Sequence, residues 1–233
     1  MSFSRPLMRL RLRAKQLLGW RLRRNRDNPR IRHDLGVIFI HIPKTGGNSV
    51  TRALTGIPKR GESLSPQIGK HAKAEEVRFL LGRKAWDRCF SFALVRNPWD
   101  LMVSCYHWWI QKAPQLPYHR RHSRRIARMG SFDRFIRSRY GTGMINERPG
   151  DLFDWYTDGR RTIVDYVGRL ENIEEDWREI CGRAGIPHVE MPHINPSRRG
   201  SYVEYYDSGT KELVARRFAR TIETFGYEFG DGE

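Results

Sequence analysis

Two short apolar runs, each ending abruptly at polar and charged residues, frame this chain. Val37-Ile38-Phe39-Ile40-His41-Ile42 gives way to Pro43-Lys44-Thr45-Gly46-Gly47-Asn48-Ser49-Val50, and Phe90-Ser91-Phe92-Ala93-Leu94-Val95 gives way to Arg96-Asn97-Pro98. Runs of this length, rich in β-branched and aromatic residues, predict strands. A helix pattern follows each one. The first strand leads through a tight glycine loop into a helix start. The second leads to Asn97 as N-cap, Pro98 as first helical residue and Asp100 in the first turn. Between the two units, Gly56–Gly69 reads as loop and Ala72–Leu81 as a short helix. From Lys211 onward, Leu213, Val214, Phe218, Ile222 and Phe225 recur at helical spacing, a stripe that predicts core packing. There is no internal repeat and no low-complexity tract. A chain of 233 residues is long enough for one core, and the pattern predicts a single α/β domain.

The two strand–turn–helix units carry the candidate chemistry. Free backbone N–H groups at a helix start, joined by a nearby ammonium, form an anion site. Gly46 and Gly47 let the backbone approach that anion, and Lys44 adds a full charge. A Walker A loop has its glycines before the lysine and Ser/Thr directly after it; here the lysine comes first. In the second unit Arg96 ends the strand and Ser104 lies two turns beyond Asn97, so both can point to one spot beside the strand ends. A guanidinium fork and a hydroxyl there suit a phosphate.

The loop His41-Ile42-Pro43-Lys44-Thr45-Gly46-Gly47-Asn48-Ser49 resembles the 5′-phosphosulfate loop of sulfotransferases that use PAPS (3′-phosphoadenosine 5′-phosphosulfate). The branch it resembles most holds the carbohydrate sulfotransferases and their bacterial relatives. Asn48 stands where that branch has Thr, and an amide still donates to an anionic oxygen. Val95-Arg96-Asn97-Pro98-Trp99-Asp100-Leu101-Met102-Val103-Ser104 is similar to the family's 3′-phosphate motif. Asp165 to Ile173, followed by Glu174-Glu175-Asp176-Trp177, looks like its next strand-to-helix segment, and Asn195 to Tyr202 with Tyr205-Tyr206-Asp207 looks like its C-terminal loop. The resemblance implies a P-loop-like three-layer α/β fold, with a central, mostly parallel sheet flanked by helices on both faces. Ligands then lie outside the carboxyl ends of the strands. It also implies PAPS as sulfonate donor, a hydroxyl acceptor that is a glycan or small carbohydrate, and no metal. Cofactor contacts fall to Lys44, Thr45, Gly46, Gly47, Asn48, Ser49, Arg96 and Ser104, with Arg199 and Gly200 closing over the 3′-phosphate. Lys44 stabilises the leaving phosphate, and no magnesium-binding acid stands beside the loop. His71, between the two motifs, is the candidate base; His41, His107 and His193 are its rivals. His41 reads as a brace for the loop, His107 as packing beside Trp108 and Trp109. Trp99 or Tyr202 is a candidate for adenine contact, with core packing the commoner use of such rings.

Charge adds partners. The net charge is +17, and residues 1–33 hold eleven Lys/Arg against the single acid Asp27. This basic leader precedes the sulfotransferase domain at 34–233. Leu7, Met8, Leu10, Leu12, Leu17, Leu18, Trp20 and Leu22 among its arginines suit an imperfect amphipathic helix on an anionic membrane, or one packed on its own domain. The run His119-Arg120-Arg121-His122-Ser123-Arg124-Arg125 is either a solvated face or a grip on an acidic glycan. Cys89, Cys105 and Cys181 lack metal spacing and read as buried thiols, in keeping with a reducing compartment. No apolar run approaches about 18 residues and the N-terminus lacks a signal-peptide core, so a cytoplasmic protein is expected, with the leader as its peripheral membrane contact. A kinase-like P-loop protein and an arginine-rich nucleic-acid-binding module are the alternative readings. The lysine-first order disfavours the kinase, and nucleic acid is the less favoured partner.

Overall fold

The computed structural model describes residues 26–61, 64–65, 68–144, 148–192 and 200–231. Its centre is a sheet of four strands, β1 (Ile31–Arg32), β2 (Val37–Ile40), β3 (Phe90–Val95) and β4 (Tyr166–Arg169), side by side in that order. β1 runs antiparallel to β2, while β2, β3 and β4 are parallel, with Ile40 opposite Ala93 and Val95 opposite Arg169. The apolar runs seen in the sequence are continuous because both faces of these strands are covered.

Ten helices surround the sheet among the described residues: α1 (Gly47–Gly56), α2 (Ala74–Leu81), α3 (Arg83–Trp86), α4 (Pro98–His107), α5 (Arg120–Met129), α6 (Phe132–Arg137), α7 (Phe153–Tyr156), α8 (Ile173–Ala184), α9 (Ser208–Arg217) and α10 (Ala219–Phe225). Side chains alternate between two cores, as a period of two requires. Val37, Phe39, Phe92 and Leu94 pack with Val50 and Leu54 of α1 and Trp177 and Ile180 of α8. Ile38, Ile40, Ala93 and Val95 join the larger core with Met102 and Val103 of α4, Trp155, Val214 and Phe218. The α/β architecture expected from the sequence is therefore present, with helices on both faces of a mostly parallel sheet.

Local signals account for several helix ends. Asn97 accepts from the N–H groups of Trp99 and Asp100 and caps α4, as expected. Asp207 and Thr210 form a reciprocal capping box at α9. The C-terminal apolar stripe is split at Phe218, which is fully buried and separates α9 from α10. Ile31 and Arg32, within the basic stretch 1–33, form the sheet edge. Arg32 is 5% exposed, pairs with Asp34 at 2.7 Å and donates to the Ile57 carbonyl at 3.2 Å. Residues 1–25 of the leader lie outside the described residues. Cys89, Cys105 and Cys181 are buried free thiols. No described helix is long and apolar enough to cross a membrane.

Candidate functional site

The site is assembled at the carboxyl ends of β2, β3 and β4. After β2 the chain reverses at Lys44, which has φ 66°, the one positive φ at a non-glycine among the described residues. Left-handed backbone costs an L-residue about 1–2 kcal/mol, so the surrounding contacts must hold it. Two do so. The Arg96 guanidinium, at the end of β3, donates from Nη1 to the Lys44 carbonyl at 3.0 Å. The Thr45 hydroxyl, fully buried, donates to the Ile42 carbonyl at 3.0 Å. Thr45 thus spends its side chain on the turn and presents its backbone.

Gly46 follows in the left-handed region (φ 76°) as the N-cap of α1 and supplies no side-chain cap. The N–H groups of Gly46, Gly47 and Asn48 have no protein acceptor among the described residues, while Ser49 N–H already bonds the Gly46 carbonyl at 2.9 Å. An uncapped helix start of this kind is a cradle for an anion. Both glycines also have a packing reason that the sequence did not reveal. A Cβ at Gly46 would lie 2.6 Å from Leu170 Cδ1, and one at Gly47 would collide with the His41 ring, 2.8 Å from Cε1 and closer to Cδ2 and Nε2.

His41 is 4% exposed, stacks on Phe39 at 5.6 Å and meets His71 edge-on at 4.7 Å. Burial, then the charges of His71, Lys70 and Arg30, push its pKa down to about 2, so the ring is neutral. Its Nδ1 has no hydrogen-bond partner among the described residues. His41 is a brace beneath the loop, as expected. His71 sits beside it and donates from Nδ1 to the His41 carbonyl at 3.1 Å. A carbonyl only accepts, so Nδ1 carries the hydrogen and a neutral ring keeps Nε2 as its acceptor. That is the tautomer a general base needs.

Asn48 is exposed and its Oδ1 accepts from Lys70 Nζ at 2.8 Å, leaving its NH₂ as donor. Lys70 has its pKa lowered by burial and then by Arg30, whose guanidinium donates to the Gly69 carbonyl at 3.0 Å. The sequence reading missed this pair of cations. Lys70 adjoins His71 and was legible; Arg30 is 39 residues away from Gly69 and carried no signal.

In the sequence Arg96 and Ser104 read as able to point to one spot. Arg96 Nε donates to Asp100 at 2.6 Å, its Nη2 joins the same carboxylate, and no hydrogen bond between Arg96 and Ser104 is needed for that reading or present. Among the described residues three of its five N–H groups are thereby engaged and two remain. The side chain is 13% exposed, and burial lowers its pKa while Glu171 opposes the shift. Asp100 is the missed partner, legible as an acid four residues on. Ser104 is 3% exposed on α4.

His107 departs from the packing role expected for it. Its Nε2 lies 2.7 Å from the Tyr205 hydroxyl, and Nδ1 accepts from the Gln111 amide at 3.0 Å. Burial and the nearby Lys44 charge lower its pKa. Both ring nitrogens of His107 are thus engaged within the fold. Trp99 and Tyr202 are corrected outright. They are 4% and 3% exposed, Trp99 Nε1 donates to the Lys211 carbonyl, and Tyr202 accepts from Asn97 and Gly230, so both belong to the core rather than to an open ring face. Gly200 is exposed and no hydrogen bond joins it to Arg96 or Ser104. Arg199 and His193 lie outside the described residues. The run 119–125 falls largely on α5, whose arginines form no hydrogen bond with the loop or with His71. A cavity of about 240 Å³ adjoins Gly46 and Ser49, with apolar walls from Leu170, Ile173, Met191 and Pro192.

The sulfotransferase family model matches residues 28–228. The chain is also 30% identical over 129 residues to an uncharacterized protein of Archaeoglobus fulgidus, a stretch covering 54% of this chain and 92% of that protein. No solved structure matches. The family match runs from the edge strand through the lysine-first loop to the last helix, and on it the chain belongs to the sulfotransferase family.

Proposed function

We propose that this sulfotransferase uses PAPS as its donor and a carbohydrate hydroxyl as its acceptor, with Lys44 and His71 carrying the chemistry. The observation behind the reading is the uncapped amino end of α1, whose N–H groups meet the Lys44 turn and the Arg96 guanidinium at one place. That donor set fits an anionic nucleotide. PAPS supplies the sulfonate and leaves as the bisphosphate PAP.

In this reading the N–H groups of Gly46, Gly47 and Asn48, with the backbone of Thr45 and Ser49, bind the 5′ anion. The Lys44 ammonium stabilises the negative charge that grows on the bridging oxygen as the S–O bond breaks; loss of such a donor costs on the order of 10²–10³ in turnover. His71 Nε2 takes the proton of the acceptor hydroxyl as the new O–S bond forms. The two remaining Arg96 donors and the Ser104 hydroxyl serve the 3′-phosphate, and the resemblance adds Arg199 and Gly200 to that role. The apolar cavity beside Gly46 suits the nucleobase. The carbohydrate acceptor follows from the resemblance of the loop to that branch. The three buried thiols suit the cytoplasm.

The test is calorimetric titration with PAP and with ATP, with and without magnesium, on the wild type and Arg96→Ala. Tight PAP binding that needs no metal, weak ATP binding and loss in the variant are expected. ATP binding equal to PAP, or turnover that requires magnesium, overturns the reading in favour of a kinase.

A further inference from the structure

A second concentration of positive charge lies on α5, in a groove that no residue of the lysine loop lines. Arg120, Arg121, Arg124, Arg125 and Arg128 are all exposed, and with Pro117 they line one open groove. None forms an ion pair among the described residues, and no acid occurs in the sequence between Asp100 and Asp133. At 3.6 residues per turn the five fall within an arc of about 140°, while Ser123 and Ile126, the buried residues of this helix, lie on the opposite side. The arginine face is about 12 Å long.

This face opposes the stability of its own helix. Arg120/Arg124, Arg124/Arg128 and Arg121/Arg125 are like-charge pairs at i,i+4, and two arginines occupy the first turn against the helix dipole. The helix persists because Ile126 is fully buried and Ser123 Oγ donates to the Trp109 carbonyl at 2.9 Å. A surface of phosphates relieves that repulsion.

A second observation selects the kind of anionic surface. Among the described residues the large apolar side chains that stand exposed are Leu116 (42%) and Tyr118 (92%). Both sit immediately before α5, where the turn Pro117–His119 runs directly into the helix. An aliphatic side chain and a tyrosine beside a row of arginines match the interface of a bilayer. There the arginines meet lipid phosphates while Leu116 and Tyr118 enter the headgroup boundary. A soluble polyanion offers nothing for Leu116. The leader sequence, with leucines and Trp20 among arginines, has the same composition.

We propose that the α5 arginine face, with Leu116 and Tyr118, docks the enzyme on an anionic phospholipid membrane. The inference is independent of the transfer chemistry. It is tested by co-sedimentation of the full chain with vesicles of phosphatidylcholine alone and of an equimolar mixture with phosphatidylglycerol, and by heparin affinity as a soluble polyanion control. Binding to the mixed vesicles only is expected. Arg120→Gln/Arg124→Gln/Arg128→Gln weakens it on the order of 100-fold, at about fivefold per arginine. Leu116→Ser/Tyr118→Ser weakens vesicle binding about tenfold and leaves heparin affinity unchanged. These side chains are exposed, and an unchanged melting temperature confirms folding. The leader is present in every protein compared, so the ratios read α5. Vesicle binding unaffected by the arginine variant overturns the proposal. So does heparin binding that needs the arginines while Leu116 and Tyr118 are silent toward vesicles, which assigns the face to a soluble polyanion.

Discussion

Substituting Gly47 by alanine separates the two reasons the site offers for that glycine. If the glycine serves only to let an anion approach, Gly47→Ala lowers nucleotide affinity and leaves the apo protein as stable as before. The geometry predicts otherwise. A Cβ would lie 2.8 Å from His41 Cε1 and nearer to two other ring atoms. Carbon contacts settle near 3.5–4.0 Å, so the ring or the helix start must retreat by about 1 Å. The ring is stacked on Phe39 on one side and meets His71 edge-on, and retreat is costly. Overpacking of this kind costs about 1–3 kcal/mol, or about 2–12 °C in melting temperature for a chain of this length. Gly47 is helical and not left-handed, so once the ring is gone alanine is the better helix former, by about 1 kcal/mol. In a His41→Ala background, Gly47→Ala is therefore neutral or stabilising, with a coupling of about 2 kcal/mol between the sites. Thermal unfolding of the four proteins without ligand measures this. Equal destabilisation in both backgrounds, or loss of PAP binding with no change in melting temperature, refutes the steric account.

The remaining predictions concern the same neighbourhood. Asp100→Asn leaves the Arg96 guanidinium without its carboxylate, costing about 3 kcal/mol and several degrees in thermal unfolding, whereas Asp100→Ala combined with Arg96→Met recovers part of that loss. Because His41 is depressed to about 2, the unfolded chain binds its proton first. The stability His41 contributes is complete above about pH 6.5 and falls on acidification toward pH 2, at up to about 1.4 kcal/mol per unit; denaturant titrations of His41→Asn show that slope reduced. Lys70→Gln lowers PAP affinity by about tenfold, with a weaker salt dependence in calorimetry, and leaves thermal stability unchanged. His71→Asn retains a donor for the His41 carbonyl but no proton acceptor, so it keeps PAP binding and loses transfer by about 10²–10⁴, while His71→Ala loses both.

The local grammar of the site was legible because each signal sits within a few residues of its effect. Asn97 caps α4 through groups two and three positions on, and the apolar runs at 37–42 and 90–95 became neighbouring parallel strands. The lysine-first order marked the loop before its backbone was known. What escaped were relations between distant residues. Arg96 reads as a phosphate ligand in isolation, yet its bond to the Lys44 carbonyl spans 52 positions. Trp99 and Tyr202 read as either adenine contacts or core, and nothing in their neighbours announces that Lys211 and Asn97 will engage their polar atoms. Gly47 was recognised as necessary, but its reason lies in the orientation of a ring six residues back.

The candidate base and the candidate phosphate ligand, His71 and Arg96, both hold carbonyls of the lysine loop. His71 Nδ1 is bonded to the His41 carbonyl and Arg96 Nη1 to the Lys44 carbonyl, so the reversal between them is clamped at each end from separate strand connections. The left-handed turn at Lys44 is the strained element, and the clamps determine where its ammonium can stand. In a Walker loop glycines absorb such a reversal before the lysine is reached. Here the lysine itself adopts the reversed backbone, and Gly46 opens the helix two residues later. The cation is thereby fixed to the turn that precedes the N–H cradle. Substitutions at His71 and Arg96 must then act partly through Lys44. Their effects on turnover combine non-additively with those of Lys44→Ala, as expected of groups that work as one unit.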